Sequence, residues 1–244
     1  RTRILMPSSR HLPGASHWLA LVLAGLSLAA RPVAAGTITG HVHARSAVED
    51  TDAASGGGGG YGSRRYKFLE RIDYSALRDF VVNIDHVQAP PPAGQPPPQG
   101  VVTQRDGAFV PHVLPVVVGT VVSWPNADDI YHNVFCMSES TPFDLGLYKK
   151  GDDAKSVVFS KTGRIEVFCS IHTKMNCIVL VLPNPWFARA NDAGYYRIPN
   201  VPAGTYRLRA WHERLPSKIK EVVVPAQGEV QVDFVLGLGA AAHD

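Results

Sequence analysis

The apolar runs of this chain are short, and Gly, Pro, Asn or Asp cuts them at almost every turn, a pattern that favours strands over helices. Strand-like runs are Thr37–Ala44, Phe80–Val87, Phe109–Val118, Val121–Trp124, His132–Met137, Val157–Phe159, Arg164–Cys169 and Cys177–Leu182. A second series follows at Tyr195–Ile198, Thr205–His212, Ile219–Val224 and Val230–Leu236, with turns at 191–194 and 202–204. In the last run Val230, Val232, Phe234 and Leu236 fall on one face and Gln231 and Asp233 on the other, as in a sheet with one wet side. The expected class is all-β, a β-sandwich or barrel followed by a small second β-sandwich.

Three stretches depart from this pattern. Glu49 to Gly62 is polar and holds the unbroken run Gly56 to Gly60, which reads as a flexible loop. Ala89 to Gly100 is dominated by proline and predicts an extended connector without hydrogen-bonded structure. Between them, Arg64 to Phe80 carries Phe68, Leu69, Ile72, Leu77 and Phe80 near a helical period, which predicts a short amphipathic helix.

The first residues carry Arg1, Arg3 and Arg10, then an apolar run from Trp18 to Ala30, then small residues ending at Ala35, an arrangement that resembles a secretory signal cleaved after Ala35. The apolar run is about 13 residues, shorter than the roughly 20 that span a bilayer. No later stretch is long and apolar enough to cross, so the expected product is exported, soluble and periplasmic, with no stable membrane span after signal removal. Lys and Arg number 24 against 21 Asp and Glu, with no dense basic block, which argues against nucleic acid as a partner. There are three cysteines, and in an oxidising compartment an odd number leaves at least one as a free thiol, an intermolecular link or a metal ligand.

The segment Phe168-Cys169-Ser170-Ile171-His172-Thr173-Lys174-Met175 places a thiolate, an imidazole and a thioether three residues apart at each step, so one tight loop presents all three. Two His and one Cys in a trigonal set, with a long axial Met, is the ligand arrangement of blue-copper electron-transfer sites. His132, in Tyr131-His132-Asn133-Val134-Phe135, is the obvious supplier of the second imidazole. Zinc also suits thiolate and imidazole, whereas magnesium and calcium do not.

With their upstream His-Asn-Val, these motifs resemble the cupredoxin family of blue copper proteins, amicyanin and plastocyanin among them, and in spacing amicyanin most of all. The resemblance runs over roughly Phe80 to Leu182. The wider pattern at Phe109 to His112, Gly119 to Asn126 and Phe143 to Tyr148 is similar to cupredoxin-like proteins associated with methylamine utilisation. It implies a Greek-key sandwich with one type 1 copper, His132, Cys169 and His172 as equatorial ligands, Met175 as the axial ligand, and Asn133 bracing the ligand loop. It further implies a carrier of single electrons between redox partners such as a dehydrogenase or a c-type cytochrome, with His172 as the solvent-facing ligand. Multicopper enzymes carry a His on each side of the Cys, where this chain has Phe168 and Ser170, so no catalysis is expected. The competing reading is a copper-handling or interaction protein that binds the metal but carries no current.

With Cys169 given to the metal, Cys136 and Cys177 form an even remainder; a disulfide between them suits the compartment, and two buried thiols are the other reading. His86, His112 and His212 each stand alone in strand-like context and read as structural. Asn191 to Tyr196 and Val201 to Leu208 resemble the non-catalytic carboxypeptidase regulatory-like sandwich, and Thr37 to Val42 reads as a first strand of that module, with the copper domain inserted in it. The expected organisation is a signal at 1–35, a strand, loop and helix at 36–79, a cupredoxin domain at 80–183, the second sandwich at 184–238 and a tail at 239–244.

Overall fold

The computed structural model describes residues 35–45, 72–89 and 95–237. The expected signal up to Ala34, the glycine-rich loop, the prolines from Pro90 to Pro92 and the tail at 239–244 lie outside the described residues. The protein is all-β, and no helix among the described residues is long and apolar enough to cross a membrane.

One half is a cupredoxin-like sandwich. A five-stranded sheet runs in the order Val113–Val117, Asn176–Leu182, Gly163–Phe168, His132–Cys136, Phe143–Tyr148. A three-stranded sheet, Lys155–Phe159, Thr120–Trp124, Gln99–Val101, packs with it around a core that includes Val102, Phe109, Trp124, Val134, Phe159, Val167, Cys169 and Met175. The chain crosses to the three-stranded sheet at Thr120–Trp124 and again at Lys155–Phe159, and its second return lays Gly163–Phe168 beside His132–Cys136 although the two are far apart in the chain.

The other half is a second sandwich. Ala35–Ala44 lies between Tyr195–Pro202 on one side and Glu229–Gln231 and Phe234–Leu236 on the other. The facing sheet runs Phe187–Arg189, Val81–Ile84, Gly204–His212, Leu215–Val224, and Ile38, Val42, Val82, Ile84, Tyr196, Leu208 and Phe234 fill the space between. The chain therefore builds the central strand of this sandwich first, leaves it for the cupredoxin-like half, and returns.

Asn176–Leu182 is buried on both faces and joins the halves: Cys177, Val179 and Val181 enter the cupredoxin-like core, while Ile178, Leu180 and Leu182 form a second cluster with Val81 and Val113, against which Phe187 and Trp211 pack. Double-sided burial explains its unbroken apolar run.

The structure departs from the sequence reading in four places. Val81–Ile84 pairs with Phe187–Arg189 and Gly204–His212, so the start of the segment assigned to the copper domain belongs to the second sandwich. The helix expected up to Phe80 does not run through Ile72–Phe80. There the chain makes a single 3-10 turn, Tyr74–Ala76, capped by the Asp73 side chain, which accepts from the Ser75 N–H at 3.0 Å, and Leu77 is already extended. The end of the proline-rich connector is hydrogen-bonded: Gln99–Val101 pairs in parallel with Thr120–Trp124. Val230–Leu236 is two strands, because the Asp233 carboxylate accepts the His41 N–H at 2.7 Å and so takes the place of a backbone carbonyl.

Candidate metal centre

Cys169, His172 and Met175 all lie on the loop of one hairpin. Phe168 pairs with Asn176 at the mouth of the loop; inside it the Cys169 N–H donates to the Met175 carbonyl at 3.1 Å, and the Met175 N–H to the His172 carbonyl at 2.9 Å. His132 opens the neighbouring strand, fully buried. Its Nδ1 lies 2.9 Å from the Nδ1 of His172, which lies 3.6 Å from the Cys169 Sγ, so three soft donors converge on one point. Met175 is buried in the same core as Cys169.

The spacing fits a transition-metal ion. Two nitrogens at about 2.0–2.1 Å and a sulfur at about 2.3 Å around a tetrahedral ion stand about 3.3 Å (N to N) and about 3.6 Å (N to S) apart. The observed separations match the second of these and fall a few tenths of an ångström short of the first. No described carboxylate joins the three donors, and a thiolate with two imidazoles suits copper or zinc rather than a hard cation.

What surrounds the donors sets their state. The Nε2 of His132 lies 2.9 Å from an Asp128 carboxylate oxygen. A carboxylate only accepts, so the proton sits on Nε2 and the Nδ1 lone pair is left pointing at the shared site. Asp128 is itself held at a hairpin tip, its oxygens accepting from the Gly107 N–H at 3.0 Å and the Asp106 N–H at 2.8 Å. The Gly107 N–H is the leading cause that holds this carboxyl below the usual range, with the Asp106 N–H and His132 acting the same way. Both tip residues are left-handed, φ 54° at Asp106 and 68° at Gly107, a geometry that suits Gly and Asp.

Sequence reasoning missed Asp128. Its one signal was a carboxylate four residues before His132, and no strand pattern points at it. Asp128→Asn should weaken metal binding by about 10–100-fold, because the amide no longer fixes the imidazole tautomer. Competition against a chelator of known affinity measures that loss.

Asn133 ties the two ligand-bearing segments together: its Oδ1 accepts the Ser170 N–H at 2.7 Å, and its Nδ2 donates to Asp144 at 3.0 Å. Tyr148 pairs with His132 across the strands and buries its hydroxyl, which donates to the Trp124 carbonyl at 2.6 Å and accepts from Gln104 Nε2 at 2.7 Å. Burial pushes this phenol up to about 12. His172 is half-buried, and the exposed residues of its loop are Ser170, Ile171, Thr173 and Lys174; Phe168, at the base of the loop, is also exposed, its ring 6.0 Å from that of Phe135.

Cys136 and Cys177 are not joined. All three cysteines are free and buried. Cys177 pairs with Val167, and Phe168 pairs with Phe135, so by the same antiparallel register Val167 stands between the two thiols. Two strand spacings separate them by roughly 9–10 Å, beyond the roughly 7 Å that a disulfide bridges. Burial pushes the Cys177 thiol well above its ordinary value.

The three histidines read as structural lie apart from the cluster, though His86 and His112 have carboxylate partners. His86 is exposed with Asp85 at 3.1 Å. His112 reaches Glu213 at 3.2 Å. His212 is buried, accepts the Arg214 N–H at 3.1 Å, and is held below its ordinary value chiefly by desolvation.

Against known proteins, residues 186–232 match the model described as polysaccharide lyase family 4, domain II. No curated protein matches the chain. A reduced point variant of amicyanin is 25% identical over 37% of this chain and 88% of its own, with a TM-score of 0.33. A copper-containing nitrite reductase from Thermus scotoductus SA-01 is 28% identical over 38% of this chain and 25% of its own, at 0.33. A purple cupredoxin from Nitrosopumilus maritimus is 25% identical over 35% of this chain and 99% of its own, at 0.30.

Proposed function

We propose that this protein is an exported, periplasmic carrier of single electrons, with one type 1 copper bound by His132, Cys169 and His172 and, more weakly, by Met175. The observation that carries the reading is the convergence of the two Nδ1 atoms and the Cys169 sulfur, 2.9 and 3.6 Å apart, inside a β-sandwich core. Copper bound there supplies a one-electron couple.

The protein's part is to hold the donors still. Asn133 and the loop's own hydrogen bonds fix Cys169 and Met175, and Asp128 fixes the ring of His132. A set that barely moves between oxidation states needs little rearrangement for transfer, which suits a carrier more than a catalyst. His172 is the donor nearest solvent, on a loop rim where Ile171 is exposed together with Ser170, Thr173 and Lys174. That rim suits brief docking of a redox protein such as a dehydrogenase or a c-type cytochrome. Phe168 and Ser170 beside Cys169 offer no ligands to wire a second metal, so the protein transforms no substrate itself.

A copper-handling role makes a different prediction. Titration with Cu(II) should give one equivalent bound, an intense thiolate-to-copper band in the visible and a reversible one-electron couple. Tight Cu(I) binding without reversible cycling would mean handling instead, and no copper bound would end both readings.

A further inference from the structure

His112 sits outside the donor cluster yet is bonded on both sides. Its Nδ1 lies 3.2 Å from the Asn176 carbonyl oxygen, and its Nε2 lies 3.2 Å from each carboxylate oxygen of Glu213. Carbonyl and carboxylate oxygens only accept. A neutral ring satisfies one of these partners, whereas an imidazolium donates to both. The backbone of His112 grips the same strand, its carbonyl accepting the Ile178 N–H at 2.8 Å.

The two partners belong to different halves of the molecule. Glu213 lies in the turn between Gly204–His212 and Leu215–Val224 of the second sandwich. Asn176 follows Met175 directly and pairs with Phe168, which precedes Cys169, so it closes the loop that carries three of the four donors. Beneath this link Val81 and Trp211 of the second sandwich pack with Val113, Ile178 and Leu180. The contact is thus a charge-assisted strap laid over a shared apolar floor.

We propose that Glu213 and His112 are positioning residues through which the second sandwich holds the Met175 end of the ligand loop and so tunes the metal. This deepens the copper reading and rests on it for the potential, while the strap itself stands without metal. A carrier with a bare cupredoxin domain has no such handle.

The test uses the full chain with Glu213→Ala, and Glu213→Gln to keep the size and drop the charge. In the metal-free protein the Cys169 and Met175 amides, whose bonds close the loop, should exchange about tenfold faster in Glu213→Ala, with the Val122 amide in the opposite sheet unchanged. Glu213→Gln should fall between it and the unmodified chain. In the copper-loaded protein the reduction potential should rise, because a looser loop weakens the axial thioether. Adding Glu213→Ala to His112→Ala should bring no further change, because Glu213 acts on the loop only through His112, whereas His112→Ala alone should exceed Glu213→Ala, since it also removes the bond to the Asn176 carbonyl. Unchanged exchange at 169 and 175, or equal acceleration at Val122, would overturn the strap. Faster loop exchange with copper bound and the potential unmoved would overturn the tuning. A chain that takes up no copper defeats the functional reading alone, because the exchange measurement still decides the strap.

Discussion

Cys169→Ser is expected to abolish the intense visible band of the copper-loaded protein while leaving the β-fold in place. The band requires a thiolate on copper, and a serine hydroxyl is not ionised near neutral pH. The site is 4% exposed and its neighbours are strands, so an oxygen of nearly the same size fits the space. Its colour is specific to this one sulfur. Cys136 and Cys177 point into the core on strands either side of Val167, and neither belongs to the donor cluster. Cys177→Ala should therefore lose some stability and keep full colour. A coloured Cys169→Ser protein would remove the basis for the assignment.

The largest effect on folding is expected at Gly40, in the second sandwich. A Cβ built there comes 2.0 Å from the Val232 carbonyl oxygen, with the Tyr196 hydroxyl at 3.0 Å. That oxygen cannot retreat: the Val232 N–H donates to the Thr39 carbonyl at 2.8 Å, and the Val232 oxygen accepts from Tyr196. Ala35–Ala44 is flanked on both sides in its sheet, so a shift of its backbone would disturb three neighbouring strands. Overpacking against side chains costs about 1–3 kcal/mol, and a clash with fixed backbone belongs at or above the upper end. Gly40→Ala should lower the urea midpoint by the equivalent of about 3 kcal/mol. A midpoint unchanged from the unmodified chain would show that the Val232 segment yields freely.

The two results probe parts of the molecule that were legible in the sequence to different degrees. The hairpin loop was readable because three of its donors are local: strand, seven residues, strand. His132 was readable from its motif, though its approach to Cys169 depends on strand order, which no local pattern encodes. Thr37–Val42 could be placed with the second sandwich from the resemblance of the C-terminal motifs to a known module, and Ala35–Ala44 does pair there. Val81–Ile84 was misplaced, since apolar alternation shows which face is buried and not which sheet a strand joins. Asp128 and Glu213 were illegible for a related reason. Each acts on a histidine through a turn, where side-chain reach depends on backbone angles such as those at Asp106 and Gly107 rather than on any period.

X-ray absorption at the copper edge, on the full chain loaded with one equivalent of Cu(II), asks most directly whether the three donors share the ion. The account predicts a first coordination shell of two imidazole nitrogens and one short copper–sulfur path, with the sulfur path absent in Cys169→Ser. A shell of nitrogen and oxygen alone in the unmodified protein, or a sulfur path that survives Cys169→Ser, would contradict it.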